Sequence, residues 1–293
     1  MTLLVASYAA ALALVSAEAL LRAWRLQWLT PPDRRPAFWR AFAANAYGDA
    51  LSVVTPARLG GDPARFLTLT RSGTDAATAV VALGAEQATD WLVWGVTGVA
   101  LVAAFGKEGA HGLVAIGRRM AGIHFMPWLL LVAATLVAGG IAAHVYRRRH
   151  PGVLHQSLRR ALASARALPP RSLAFATALS VLCTALRVAV LPVLLLPYHP
   201  HGDLGAVLLG SFGLVYGQLF LPTPAGVGGV ELGFVAGFAG SLTAGQVAGL
   251  LVAWRALTTG FDAALGGALF VASWWTGARW PGSPSTADAK FRR

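Results

Sequence analysis

Thr55-Pro-Ala-Arg-Leu-Gly-Gly61 and Thr223-Pro-Ala-Gly-Val-Gly-Gly229 are two copies of one seven-residue turn, Thr-Pro-Ala-x-x-Gly-Gly, set in an otherwise strongly apolar chain. Proline removes a helical hydrogen-bond donor and glycine tolerates backbone angles outside the helix, so each copy interrupts the run that contains it. The flanking stretches are short: roughly 37–54 and 62–72 around the first turn, 204–221 and 230–241 around the second. A bilayer-spanning helix needs about 20 mostly apolar residues. Five other segments reach that length, at roughly 2–26, 75–104, 121–146, 172–197 and 244–275. A short helix, a Pro/Gly break and a second short helix read as a re-entrant hairpin. Irregular backbone persists at membrane depth only when it is buried in protein or lines a wet cavity. The expected fold is therefore an all-α polytopic membrane protein, with about five full transmembrane helices and two re-entrant helical hairpins in an inverted repeat.

Composition points to lipid as the solvent. Hydrophobic residues make up 56% of the 293 and charged residues only 12%, with a mean hydropathy of +0.60. A soluble domain carries about 25% charged residues. The formal charge of +12 does not indicate nucleic acid in so apolar a chain; it marks cytoplasmic loops and contact with anionic lipid. The lone Cys183 allows no internal disulfide. The first apolar run lacks a basic leader and ends in Arg22 and Arg25, so it reads as a first membrane helix rather than a cleaved signal. Trp24, Trp28, Trp39, Trp274, Trp275 and Trp280 lie near helix ends and suit an interfacial aromatic belt.

Orientation follows from the basic residues. Residues 147–171 hold seven Arg and no acid, which places that loop in the cytoplasm. The N-terminus is then outside and the C-terminus cytoplasmic, in a prokaryotic inner membrane. The loop at 105–120 is expected outside, although Lys107, Arg118 and Arg119 against Glu108 make it mildly positive. The chain divides into a helix–hairpin–helix half at 1–120 and a connecting helix with basic loop at 121–170. A second, inverted half follows at 171–275, with a tail at 276–293. Inverted repeats with broken helices near the midplane are a transporter architecture.

Ionisable residues inside a membrane each require a partner or a task. Asp49, Arg58, Asp62 and Arg65 cluster at the first turn, and Glu86 and Asp90 share a helical face that calls for a cation opposite. The second half offers Arg187, Glu231 just after its turn, and Arg255 and Asp262 seven residues apart on one expected face. Glu18 can pair with Arg22 at i+4. One reading makes all of these structural ion pairs that lock hairpins to helices. The other makes Arg58, Arg65, Arg187 and Arg255 a site for an anionic headgroup, because guanidinium grips phosphate in bidentate fashion. Backbone N–H groups at Gly60, Gly61, Gly228 and Gly229 would add donors at broken-helix N-termini. Asp62, Glu86, Asp90, Glu231 and Asp262 would orient those arginines or couple to protons. No Walker, dinucleotide-binding, zinc or Ser/His/Asp pattern is present, so no cofactor, metal or catalytic residue is assigned. His199 and His201 beside Asp203 form too sparse a ligand set to read as a metal site.

The segment Asn45–Arg65, with its Pro-x-Arg-x-Gly-Gly-x-x-Arg pattern, resembles the family of the lysylphosphatidylglycerol synthase transmembrane region, often described as flippase-like. Glu86-Gln-Ala-Thr-Asp90 is similar to that family's acidic helix motif, with Gln87 where an Arg is expected. Pro222-Thr-Pro-Ala-Gly-Val-Gly-Gly-Val-Glu231 matches its second hallmark, and Trp254-Arg255 followed by Gly266-Gly267 its C-terminal positions. The resemblance covers roughly residues 5–275. It implies a membrane domain that moves or accommodates a lipid, either an anionic phospholipid or an isoprenoid-linked lipid. The soluble aminoacyl-transferase domain of the namesake proteins is not expected in this chain, so a lipid translocase rather than a synthase is the expectation. The alternatives are an intramembrane enzyme acting on a lipid phosphate, with Glu231 and a neighbouring Arg, and a non-transporting partner subunit that docks a soluble enzyme on the basic loop at 147–171.

Overall fold

A computed structural model describes residues 2–56, 58–120, 151–198, 203–221, 223–238 and 240–275, and the side chains of 107–120 and 151–158 fall outside that description. Among the described residues every regular element is helical. The helices are α1 (Thr2–Trp28), α2 (Phe38–Val54), α3 (Gly61–Arg71), α4 (Ala76–Met120), α5 (Pro151–Arg166) and α6 (Pro170–Leu195). They continue with α7 (Leu204–Gly217), α8 (Gly229–Phe238), α9 (Ala244–Arg255) and α10 (Phe261–Trp275). Four helical stretches are long and apolar enough to cross a membrane: Thr2–Trp28, Ala76–Gly106, Pro170–Leu195 and Ala244–Trp275. The expected span at 121–146, His199, His201, Trp280 and the tail lie outside the described residues. The backbone at 105–120, expected as a loop, instead continues α4 without a break: no proline interrupts this run, and its four glycines do not end the helix.

The last span is not one regular helix. A π turn, Ala256–Gly260, joins α9 to α10. The extra residue in such a turn rotates the helix after it relative to the helix before it. Arg255 and Asp262, expected on one face, accordingly point to different partners.

The two repeated turns share their first two backbone hydrogen bonds. The N–H of Arg58 donates to the carbonyl of Thr55 at 3.2 Å, and that of Gly226 to Thr223 at 3.1 Å. Leu59 to Pro56 (3.1 Å) and Val227 to Pro224 (3.0 Å) form the second equivalent pair. Arg58 (φ +58°) and Gly226 (φ +68°) occupy the same position of the repeat, and both are left-handed. The tips then meet: Pro56 and Pro224 form an isolated antiparallel bridge. Equivalent residues of the two turns thus face each other.

Two apolar clusters hold the halves together. One gathers Ala11 and Val15 of α1 with Leu191, Leu194, Phe234 and Trp254. The other gathers Ala23 and Leu26 of α1 with Leu29, Ala44, Leu69 and Ala82. α1 contributes to both, and its polar face, Glu18, Arg22 and Arg25, lies between them. The outer face of α4 (Val96, Val99, Val102) stays exposed, as a lipid-facing helix requires.

α10 crosses α2 at closest approach through Gly266, where a Cβ would stand 2.2 Å from the Ala46 carbonyl oxygen and 2.6 Å from the Ala50 Cβ. Gly266→Ala is expected to lower the thermal stability of the detergent-purified protein, because forced overpacking costs about 1–3 kcal/mol. An unchanged melting temperature would show that α2 and α10 can part at no cost.

Candidate functional site

α1 places three ionisable side chains at spacings of four and three, which stack on one helical face. Around this face the structure builds a cavity of about 430 Å³ between α1, α2, the first turn, α4, α6, α7 and α10. Ten charged residues stand in its wall. Arg22 grips Asp49 of α2 through two parallel contacts at 2.7 and 2.9 Å. Arg25 reaches across to α4, where it holds Glu86 and also Asp90 at 2.5 and 3.0 Å, and it donates to Ser180 of α6 at 2.7 Å. Glu86 offers its second oxygen to Arg65 of α3. Gly48 makes that reach feasible: a Cβ there would lie 2.3 Å from the Arg65 Cγ, so the arginine stem lies directly across the bare α2 backbone.

On the far side, Nη2 of Arg187 in α6 faces two carboxylates at once, Glu18 at 2.8 Å and Asp262 at 3.2 Å. Its Nη1 donates to the carbonyl of Thr258 at 3.0 Å. That carbonyl belongs to the π turn, whose altered register lets it face a side-chain donor.

Arg58 is the exception. It lines the same cavity, yet among the described residues its guanidinium forms no ion pair and no hydrogen bond. Its left-handed backbone is uncommon for a residue with a Cβ. Around it the wall turns apolar: Leu59, Trp91 and Phe220 line the cavity and are 57%, 48% and 74% exposed. Trp91 packs edge-on against Phe220 at 6.2 Å, and Trp94 lies 4.6 Å from Tyr216 on the inner wall. Charged and large hydrophobic side chains thus share the wall of one cavity.

The sequence-derived candidates fall into three groups. Arg58, Asp62, Arg65, Asp90, Arg187, Asp262 and Gly61 line the cavity, and Glu86 sits directly behind it. Arg255 and Glu231 stand together elsewhere, at the second turn. There Arg255 contacts Glu231 at 2.5 and 2.8 Å and donates to the Ala225 carbonyl at 2.9 Å, while the Gly228 N–H donates to the other Glu231 oxygen at 2.6 Å. The third group is the glycine pairs, whose N–H groups are largely committed. Gly60 donates to Thr55 Oγ1, Gly61 to the Arg58 carbonyl and Gly228 to Glu231. Gly229 is there for room, since a Cβ would stand 2.6 Å from a Leu221 methyl.

In the sequence Arg22 and Arg25 stand out only as the end of the first apolar run, and Glu18 only as a partner for Arg22. That pair is long (3.9 Å), and the closer partner of Glu18 is Arg187. The signal that marks all three is their common face in a membrane helix.

Removing Arg255 leaves the second turn without its strut. For Arg255→Ala, hydrogen exchange at residues 225–231 is expected to quicken about 10- to 100-fold, since charged hydrogen bonds contribute about 1.5–3 kcal/mol. Exchange at the wild-type rate would mean that the turn holds its shape unaided.

The family model of the lysylphosphatidylglycerol synthase TM region matches residues 1–266. Neither a curated protein nor a solved structure matches the chain. The chain belongs to the lysylphosphatidylglycerol synthase TM region family, a membrane region linked to lipid handling, and is a multi-pass membrane protein.

Proposed function

We propose that this member of the lysylphosphatidylglycerol synthase TM region family is a lipid translocase rather than an enzyme, moving an anionic phospholipid or lipid-linked headgroup across a prokaryotic inner membrane. The observation that carries the reading is Arg58: one uncommitted guanidinium in a cavity whose other arginines are each bound to carboxylates. A phosphate is the ligand that such a group favours, because the contact is charge-assisted and the guanidinium stays ionised. The exposed apolar side chains of Leu59, Trp91 and Phe220 on the cavity wall suit the same ligand, since acyl chains can rest against them while the headgroup enters.

The two turns supply the path. In this reading α2–turn–α3 and α7–turn–α8 are re-entrant hairpins from opposite leaflets, and their tips meet at Pro56 and Pro224. Touching tips close the route, and parting tips open it. Arg65, Arg187 and Arg255 are positioning residues on this view: the first two hold the cavity walls, and the third holds the second tip.

The test is movement of labelled anionic lipid between leaflets of vesicles containing the purified protein. Arg58→Ala is expected to slow it about 10- to 100-fold, the equivalent of one lost charged hydrogen-bonding group at about 1.5–3 kcal/mol. Its melting temperature should not fall, because no partner is orphaned. Wild-type movement in Arg58→Ala would remove Arg58 from the mechanism.

A further inference from the structure

Charge counting around the cavity carries one step more. Glu18, Asp49, Glu86, Asp90 and Asp262 have side chains no more than 14% exposed. Among the described residues they face five guanidinium groups, those of Arg22, Arg25, Arg58, Arg65 and Arg187. Asp62, 64% exposed, stands outside this buried set. The closed set is therefore formally neutral as it stands, although Arg58 touches none of the acids. A phosphodiester that binds Arg58 brings one more negative charge into a low-dielectric site, and uncompensated buried charge is costly.

The carboxylates are not equally held. Asp49 has two short contacts to Arg22, Asp90 two to Arg25, and Glu86 a guanidinium on each oxygen. Glu18 and Asp262 share the single Nη2 of Arg187. Asp262 takes it at 3.2 and 3.4 Å, longer than the contacts that hold Asp49 and Asp90, and Glu18 Oε2 has the charge but no hydrogen bond, its other arginine, Arg22, standing 3.9 Å away. Two carboxylates on one donor are where an extra proton is most easily accommodated.

We propose that binding of an anionic phosphodiester headgroup is coupled to uptake of one proton by the Glu18–Asp262 pair, so that the loaded cavity stays neutral. This rests on the headgroup reading of the cavity. The groups that face Asp262 are Arg187 from α6, Glu18 and Arg22 from α1, Asp49 from α2 and Arg58 from the first turn. All but the Glu18–Asp262 pair are arginines or a carboxylate with its own arginine. The proton comes from water and returns to it on release. Lipid movement would then respond to a pH difference across the membrane.

Calorimetric titration of the detergent-purified protein with dioctanoylphosphatidylglycerol, in Tris and in HEPES buffer, reads both affinity and protons taken up. The wild type is expected to take up about one proton per lipid, and to bind up to about tenfold more weakly per unit rise in pH. Asp262→Asn fixes the neutral state. It is expected to bind more tightly than wild type at alkaline pH, without proton uptake and without pH dependence. Glu18→Gln is the second variant should Asp262→Asn fail to fold, with the same expected loss of uptake. Wild-type binding with no proton uptake overturns the coupling while leaving the headgroup site standing. Uptake that survives in both variants also overturns it, by moving the proton elsewhere. Absence of any binding to wild type overturns the headgroup reading itself, and the coupling with it.

Discussion

Glu86→Gln is expected to melt roughly 10 °C below wild type in detergent, from a loss of about 3–5 kcal/mol. The side chain is 1% exposed and takes Arg25 on one oxygen and Arg65 on the other. Replacing the carboxylate by an amide leaves both guanidinium groups with less negative charge than they were buried against. Arg25 keeps Asp90 and Ser180, but among the described residues Arg65 keeps only Asp62, at 3.5 Å and largely exposed. The cost arises from the orphaned cations more than from the lost bonds. Glu86→Gln combined with Arg65→Gln is therefore expected to recover part of the loss, since one orphan disappears with its partner. Melting within about 1 °C of wild type for Glu86→Gln alone would mean that water or lipid already shares these charges.

The tips give the second large effect. Opposed residues of an antiparallel bridge have Cα atoms about 4.5–5.5 Å apart, inside the window of about 4.4–6.8 Å in which a disulfide closes without strain. In a Cys183→Ala background, Pro56→Cys with Pro224→Cys is expected to cross-link on oxidation. Cross-linking should abolish lipid movement, and reduction should restore it. Either cysteine alone should leave oxidation without effect. A fully cross-linked protein that still moves lipid at the uncross-linked rate would exclude parting of the tips as a step. This differs from the Arg58 experiment in kind, because it traps a conformation and leaves every cavity charge in place.

The helical segments were readable because their cause is local. A run of apolar residues, a Pro/Gly break and a pair of short flanking stretches predicted α2, α3, α7 and α8 to within a few residues, and the four described spans likewise. The acidic pair Glu86 and Asp90 was also readable in part, since its spacing calls for a cation on that face. Which cation was not readable: Arg25 comes from 61 residues upstream. The face shared by Arg255 and Asp262 was misread for a different reason. A π turn shifts the register, and nothing in Ala256-Leu-Thr-Thr-Gly260 announces it.

The turns themselves mark the same boundary. Thr-Pro-Ala-x-x-Gly-Gly by itself determines two equivalent breaks, because proline and glycine act on their own backbone. It also determines that the halves differ in charge, with Arg58 in one turn and Gly226 at the same place in the other. Only the tertiary structure decides that the tips touch, that Arg255 is spent on bracing the second one, and that Arg58 faces the cavity without a partner among the described residues. Those outcomes depend on which helices pack side by side. Guanidinium groups reach whatever carboxylate the packing brings near, so their partners are a property of the assembled interior and not of the spacing along the chain.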